Sequence, residues 1–305
     1  NNIDDNNIKK NLIVDRIFRF ANEKIGVYPF NTMIVSRKNQ SRRPIYGINN
    51  LPKIISPFDQ SFLFEYNFLK EFLHTYLEEA ITFDKRKRYW ETDGIVIFLM
   101  MNYIEKYYPE LKFIGKYSEY KIFKNRNYAS YSFNDQFRLF ENIISSRNIN
   151  QTVSTPRDSL TRINLKIINP YKAGLGLKML SKSTQKNKVE NSIKKYYKKN
   201  KLTSLDSKSL KYIIQNETKN TSTWFFDEHL GKKFFLDYNI RKINETEKNT
   251  FFKISKSIKS SSPVQISLLK KDNVMDEKWV TFNNTDTIVS FNSKIYDFVE
   301  LNKNL

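Results

Sequence analysis

Cysteine is absent from the 305-residue chain, which excludes disulfides and thiolate metal sites. The compartment stays open, because a fold of this size does not depend on disulfides. Histidine is nearly absent, with His74 and His229 the only two. That leaves few arrangements for a nucleophile–histidine pair, and no Gly-x-Ser-x-Gly elbow occurs. Acidic residues are in the minority, 32 against 52 Lys and Arg, for a net charge of +20. A field of that sign favours acidic partners such as an anionic membrane surface, an acidic protein or nucleic acid. The basic residues are spread along the chain except for the dense stretch from Lys182 to Lys201. No ordered aromatic pattern accompanies it, so nucleic acid is not the expected partner, and a solvated Lys-rich surface is the simpler reading. Long hydrophobic runs are also missing. The longest, Ile95 to Ile104, is too short to span a bilayer, and the chain is expected to be soluble. No secretory signal is visible and the first residue is not Met, so a piece of a longer protein is expected.

What is present suffices for a core. Apolar residues make up 39% of the chain and aromatics 15%, which sets aside global disorder. Apolar spacing predicts helices over Leu12–Ile25, Asp59–Glu79 (capped by Asp59) and Glu91–Tyr107. Further helices are predicted over Asn134–Ser145 and Ser159–Ile168, from Tyr171 onward, and over Val189–Lys199, Ser207–Asn216 and Ser222–Leu230. Residues 1–7 are expected to fray, and Thr32–Ser36 reads as a short strand. From Leu236 the pattern alternates, as in FFKISKSI, VQISLL and TIVSF, with turn residues between the runs. The expected class is α+β, mainly α. Residues 1–235 are expected to form a mostly helical domain and residues 236–305 a small antiparallel β-sandwich.

Lys70-Glu71-Phe72-Leu73-His74 lies inside the second predicted helix. Two histidines at i and i+4 share one helix face and can bind one zinc, and a Glu after the first can act as general base. Here the Glu and the second His of such a His-Glu-x-x-His pattern are present, and a lysine stands at the first. After eighteen intervening residues Asp93 follows, within Trp90-Glu91-Thr92-Asp93-Gly94. Downstream is Asn169-Pro170-Tyr171-Lys172-Ala173-Gly174, and upstream Gly47-Ile48-Asn49-Asn50. In order and spacing these segments resemble the zinc metallopeptidases of the aminopeptidase N type, the gluzincins. The chain is particularly similar to long peptidase-like envelope proteins of Bacteroidetes bacteria. The likeness runs from about Ile13 to Leu301, without the family's amino-terminal β domain.

The resemblance implies a thermolysin-like peptidase domain with a helical tail, followed by a β-sandwich. It implies metal-ligand positions at His74 and Asp93, with Lys70 at the third, and a general base at Glu71. Tyr171 corresponds to the family's oxyanion-binding tyrosine. Gly47, Ile48, Asn49 and Asn50 correspond to its substrate-binding edge, here without the Glu that holds the substrate's amino terminus. A lysine ammonium has no lone pair to offer a metal, and catalytic zinc needs three protein ligands with one open position. The expectation is therefore a catalytically impaired peptidase-like protein with no cofactor. It would bind a protein or peptide partner, such as a component of a membrane-protein complex, at the bacterial envelope. An active zinc peptidase with an atypical site is the alternative, and a basic RNA-binding component of a large assembly is a further one.

Overall fold

The structure is a computed structural model describing residues 2–36, 51–82, 84, 86–124, 129–184, 187–203, 209–219, 221–233, 236–270, 273–292 and 296–302. Seven main helices are described: α1 (Asn2–Lys24), α2 (Gln60–Ala80), α3 (Tyr89–Tyr107), α4 (Asp135–Ser146), α5 (Asn169–Ser183), α6 (Lys188–Asn200) and α7 (Leu210–Glu217). Six strands follow: β1 (Tyr238–Glu245), β2 (Thr250–Lys256), β3 (Val264–Lys270), β4 (Asn273–Val280), β5 (Asp286–Phe291) and β6 (Phe298–Leu301). The chain is thus α+β, with its helices preceding two small antiparallel sheets.

α1 begins at Asn2, not after the expected frayed residues. Its buried stripe, Ile13, Ile17, Phe20 and Ala21, holds the carboxy-terminal half against the core. Once a helix is nucleated, each added residue brings one hydrogen bond. α2 and α3 are legible from their apolar faces. Asp59 occupies the N-cap position of α2, yet its side chain makes no capping bond. A single buried carboxylate, Glu65 on α2, joins three elements. It is ion-paired with Arg16 of α1, accepts from Tyr103 of α3, and accepts from Tyr108 Oη at 2.8 Å. Breaking one partner of such a buried cluster strands the others without compensation.

α3 and α5 cross at very short range, and glycines make the crossing possible. A Cβ at Gly94 would lie 2.9 Å from the Ala173 Cβ. A Cβ at Gly174 would collide with the Ile97 side chain and come within 3.3 Å of the Phe98 backbone nitrogen. The glycines of the Trp-Glu-Thr-Asp-Gly and Pro-Tyr-Lys-Ala-Gly segments therefore have a packing role of their own.

The sheets have strand orders β1-β2-β5 and β4-β3-β6, with every pairing antiparallel. They share one small core of Phe252, Ile254, Val264, Ile266, Leu268 and Phe291. Among the described residues, two contacts illustrate how they join the helices. Trp279 of β4 packs against the large helical core. Glu228 accepts from Ser260 Oγ at 2.5 Å and from Ser261 Oγ at 2.6 Å.

Two further expectations change. Thr32–Ser36 is not a strand, because no described segment pairs with it and an extended run without a ladder partner leaves its backbone groups to other bonds. Asn164–Ile168 and Phe225–Leu230 are π-helical turns rather than α-helix. Apolar spacing over five or six residues does not separate the two.

Candidate functional site

α2 places Lys70, Glu71 and His74 on successive positions of its buried surface, and all three are inside, with Lys70 only 4% exposed. α3 opens with Tyr89 and brings Asp93 one turn later. His74 Nδ1 lies 3.7 Å from Asp93 Oδ1 and 3.7 Å from Glu78 Oε1, the carboxylate one turn along its own helix. The histidine thus sits between an acid on each helix. The Asp93 side chain is 19% exposed and Glu78 24%, so the two acids reach solvent, whereas Lys70 and Glu71 are buried.

Tyr89 frames the Asp93 side of the cluster. Its hydroxyl donates to Val153 O at 2.9 Å and accepts from Asn169 Nδ2 at 2.9 Å. Burial pushes its pKa up to about 12; the Asn169 bond opposes this and the nearby Asp93 charge adds to it. Tyr89 and Asn169 escaped the sequence reading. Asn169 was legible only as the residue before Pro170, whereas here it ties the start of α5 to the start of α3.

Tyr171 is buried at the first turn of α5. Phe137 and Phe140 of α4 meet its ring edge-on, at centroid distances of 4.8 and 5.5 Å. It also lies within electrostatic reach of Tyr66, whose phenol is held well above its ordinary pKa, first by burial and then by Tyr171. Tyr66 is one turn before Lys70 on α2. The Gly94–Ala173 contact seats the segments of Asp93 and Tyr171 against each other. The expected substrate edge, Gly47 to Asn50, lies outside the described residues. His229, the second histidine, packs against Gly176 of α5 instead of joining the cluster.

The donor set does not suit zinc. A catalytic zinc site needs three ligating side chains, and the Lys70 ammonium has no lone pair with which to serve as one. Among the described residues, no group of three or more His, Asp or Glu side chains is arranged to hold a metal ion. Nor is any helix long and apolar enough to cross a membrane.

No protein-family model matches the sequence, and no curated protein matches it. The solved structures do. The chain superposes on Legionella pneumophila aminopeptidase A, determined in complex with aspartic acid, with a TM-score of 0.62. Identity is 10%, over 95% of this chain and 33% of that one. The fold is therefore peptidase-like, and the chain spans about a third of the length of the aminopeptidase it matches.

Proposed function

We propose that the chain is a peptidase-like module of the gluzincin type whose metal centre has been replaced by an internal charge cluster, and that it binds a protein or peptide partner instead of hydrolysing peptides. One observation carries this reading. His74 is fixed between Asp93 and Glu78, and the position one turn before it holds a buried lysine. In this reading the Lys70 ammonium supplies, at the centre of three carboxylates (Glu71, Glu78 and Asp93), the positive charge that a divalent metal would bring. The chemistry then changes with the charge. An ammonium has no open coordination position, so it neither binds water as a ligand nor lowers its pKa as zinc does. Glu71 and Tyr171 keep their places but have no activated water or oxyanion to serve.

The aminopeptidase-like fold supports the peptidase half of this proposal. The binding role and an envelope location rest on the resemblance of the motif order, and the net charge of +20 suits an acidic protein or anionic surface nearby. The direct test is metal content together with aminopeptidase assays on the purified chain. Metal-free, folded and inactive protein is expected. Stoichiometric zinc with turnover would replace this reading by that of an active peptidase with an atypical site.

A further inference from the structure

A second site lies on the opposite face of α5, where the helices meet the sheets. A cavity of about 340 Å³ opens there, within the usual size of small-ligand pockets, roughly 300–1,000 Å³. Lys172, Leu175 and Met179, at i, i+3 and i+7 of α5, form one wall. Glu141 of α4 stands on a second, and Tyr238 and Leu301 of the sheets close the third.

Most of the charged and titratable groups around it are already engaged. Arg138 is ion-paired with Asp135 at 3.0 Å. Glu228 is bound by Ser260 and Ser261. His229 donates from Nε2 to Lys172 O at 2.7 Å; burial and then the Lys172 charge outweigh that bond and bring its pKa down to about 3, so the ring is neutral. Lys172 and Glu141 differ from these. The Lys172 side chain is only 5% exposed, and among the described residues its ammonium has one hydrogen-bond partner, Lys232 O at 3.2 Å. Glu141 feels the Lys172 charge, and both line the cavity without closing into an ion pair within 4 Å. Burial lowers the lysine pKa and raises that of the glutamate, and each partly offsets the other. Two opposite charges held apart in a largely desolvated space are costly unless something bridges them.

We infer that this cavity is a binding site for a small zwitterion of the amino-acid class with an apolar side chain. Its carboxylate would accept from Lys172 and its ammonium donate to Glu141. Leu175, Met179 and Leu301 would cover the side chain. The ligand would touch both the helices and the sheets, so its binding would stiffen their junction. The site is separate from the His74–Asp93 cluster and is tested without reference to metal.

The experiment is calorimetric titration of the metal-free chain with L-leucine, L-methionine and L-phenylalanine. Isovalerate and isoamylamine serve as probes carrying only one of the two charges. At least one amino acid is expected to bind saturably, with the single-charge probes at least tenfold weaker for want of one charge-assisted hydrogen bond. Lys172→Met should abolish that binding. Glu141→Gln, at a position partly open to solvent and so tolerant of change, should weaken it at least tenfold. No saturable binding of any of the three would overturn the inference. So would equal binding of the single-charge probes, or a folded Glu141→Gln chain binding as tightly as the unmodified one.

Discussion

His74 on α2 and Asp93 on α3, separated by eighteen residues in the chain, approach to 3.7 Å between Nδ1 and Oδ1. In a gluzincin this pair of positions would share a zinc ion. Lys70, one turn before His74 on α2, is buried as well, and the proposed reading makes it the metal's replacement.

If Lys70 balances the cluster's carboxylates, removing its charge should be costly. Lys70→Met is expected to destabilise the chain by about 3–5 kcal/mol, the usual cost of breaking a buried ionic group. Urea denaturation measures it. Unchanged stability would remove the proposed balancing role.

Restoring the missing ligand tests the same idea from the other side. Lys70→His places three potential ligands, with His74 and Asp93, in the order that zinc requires. This variant is expected to bind zinc at least tenfold more tightly than the unmodified chain, measured by competition with a chromogenic chelator. Equal affinity would mean that the helices do not converge as described.

The α3–α5 crossing makes a third prediction. Gly174→Ala drives a methyl into Ile97, whereas at Gly94 the nearest atom, Ala173 Cβ, is 2.9 Å away. Both substitutions should destabilise, by about 1–3 kcal/mol as for other overpacked sites, with Gly174→Ala the more severe. Chemical denaturation of the two variants side by side gives the order.

The junction between helices and sheets should be acid-sensitive. Burial opposes ionisation of Glu228, but the bonds from Ser260 and Ser261 outweigh it, leaving its pKa below the ordinary 4.5. His229 is held neutral, far below its ordinary 6.5. Both folded pKa values are depressed, so both contribute stability that is complete above the unfolded values and is lost as pH falls. Unfolding free energy should therefore decline from about pH 6.5 downward through His229. Below pH 4.5 Glu228 adds to the decline. Glu228→Gln should lower stability at neutral pH and flatten the lower part of the curve. A pH profile identical to that of the unmodified chain would contradict the assignment.

Much of this architecture was legible in the residues. The apolar faces of α2 and α3 stand out because their cores are rich in Phe, Tyr, Ile and Met. The alternating runs after Leu236 match β1, β2, β3 and β5 because period-two patterns have few other outcomes. The spacing from His74 to Asp93 was legible as well. Other features were not. The π turns at Asn164–Ile168 and Phe225–Leu230 differ from α-helix by a hydrogen-bond offset with no residue signature. Thr32–Ser36 has strand composition, but no described segment forms a ladder with it. The Lys172–Glu141 cavity joins residues of two helices and a sheet edge, and only the packing of α5 against its neighbours creates it.

The most direct test of the central claim is the zinc content of the purified chain after dialysis against a weak chelator. A folded protein with far less than one zinc per chain is the predicted result, since structural or catalytic zinc held by three ligands survives such treatment. Close to one zinc per chain would contradict a dismantled centre and require a ligand in place of Lys70.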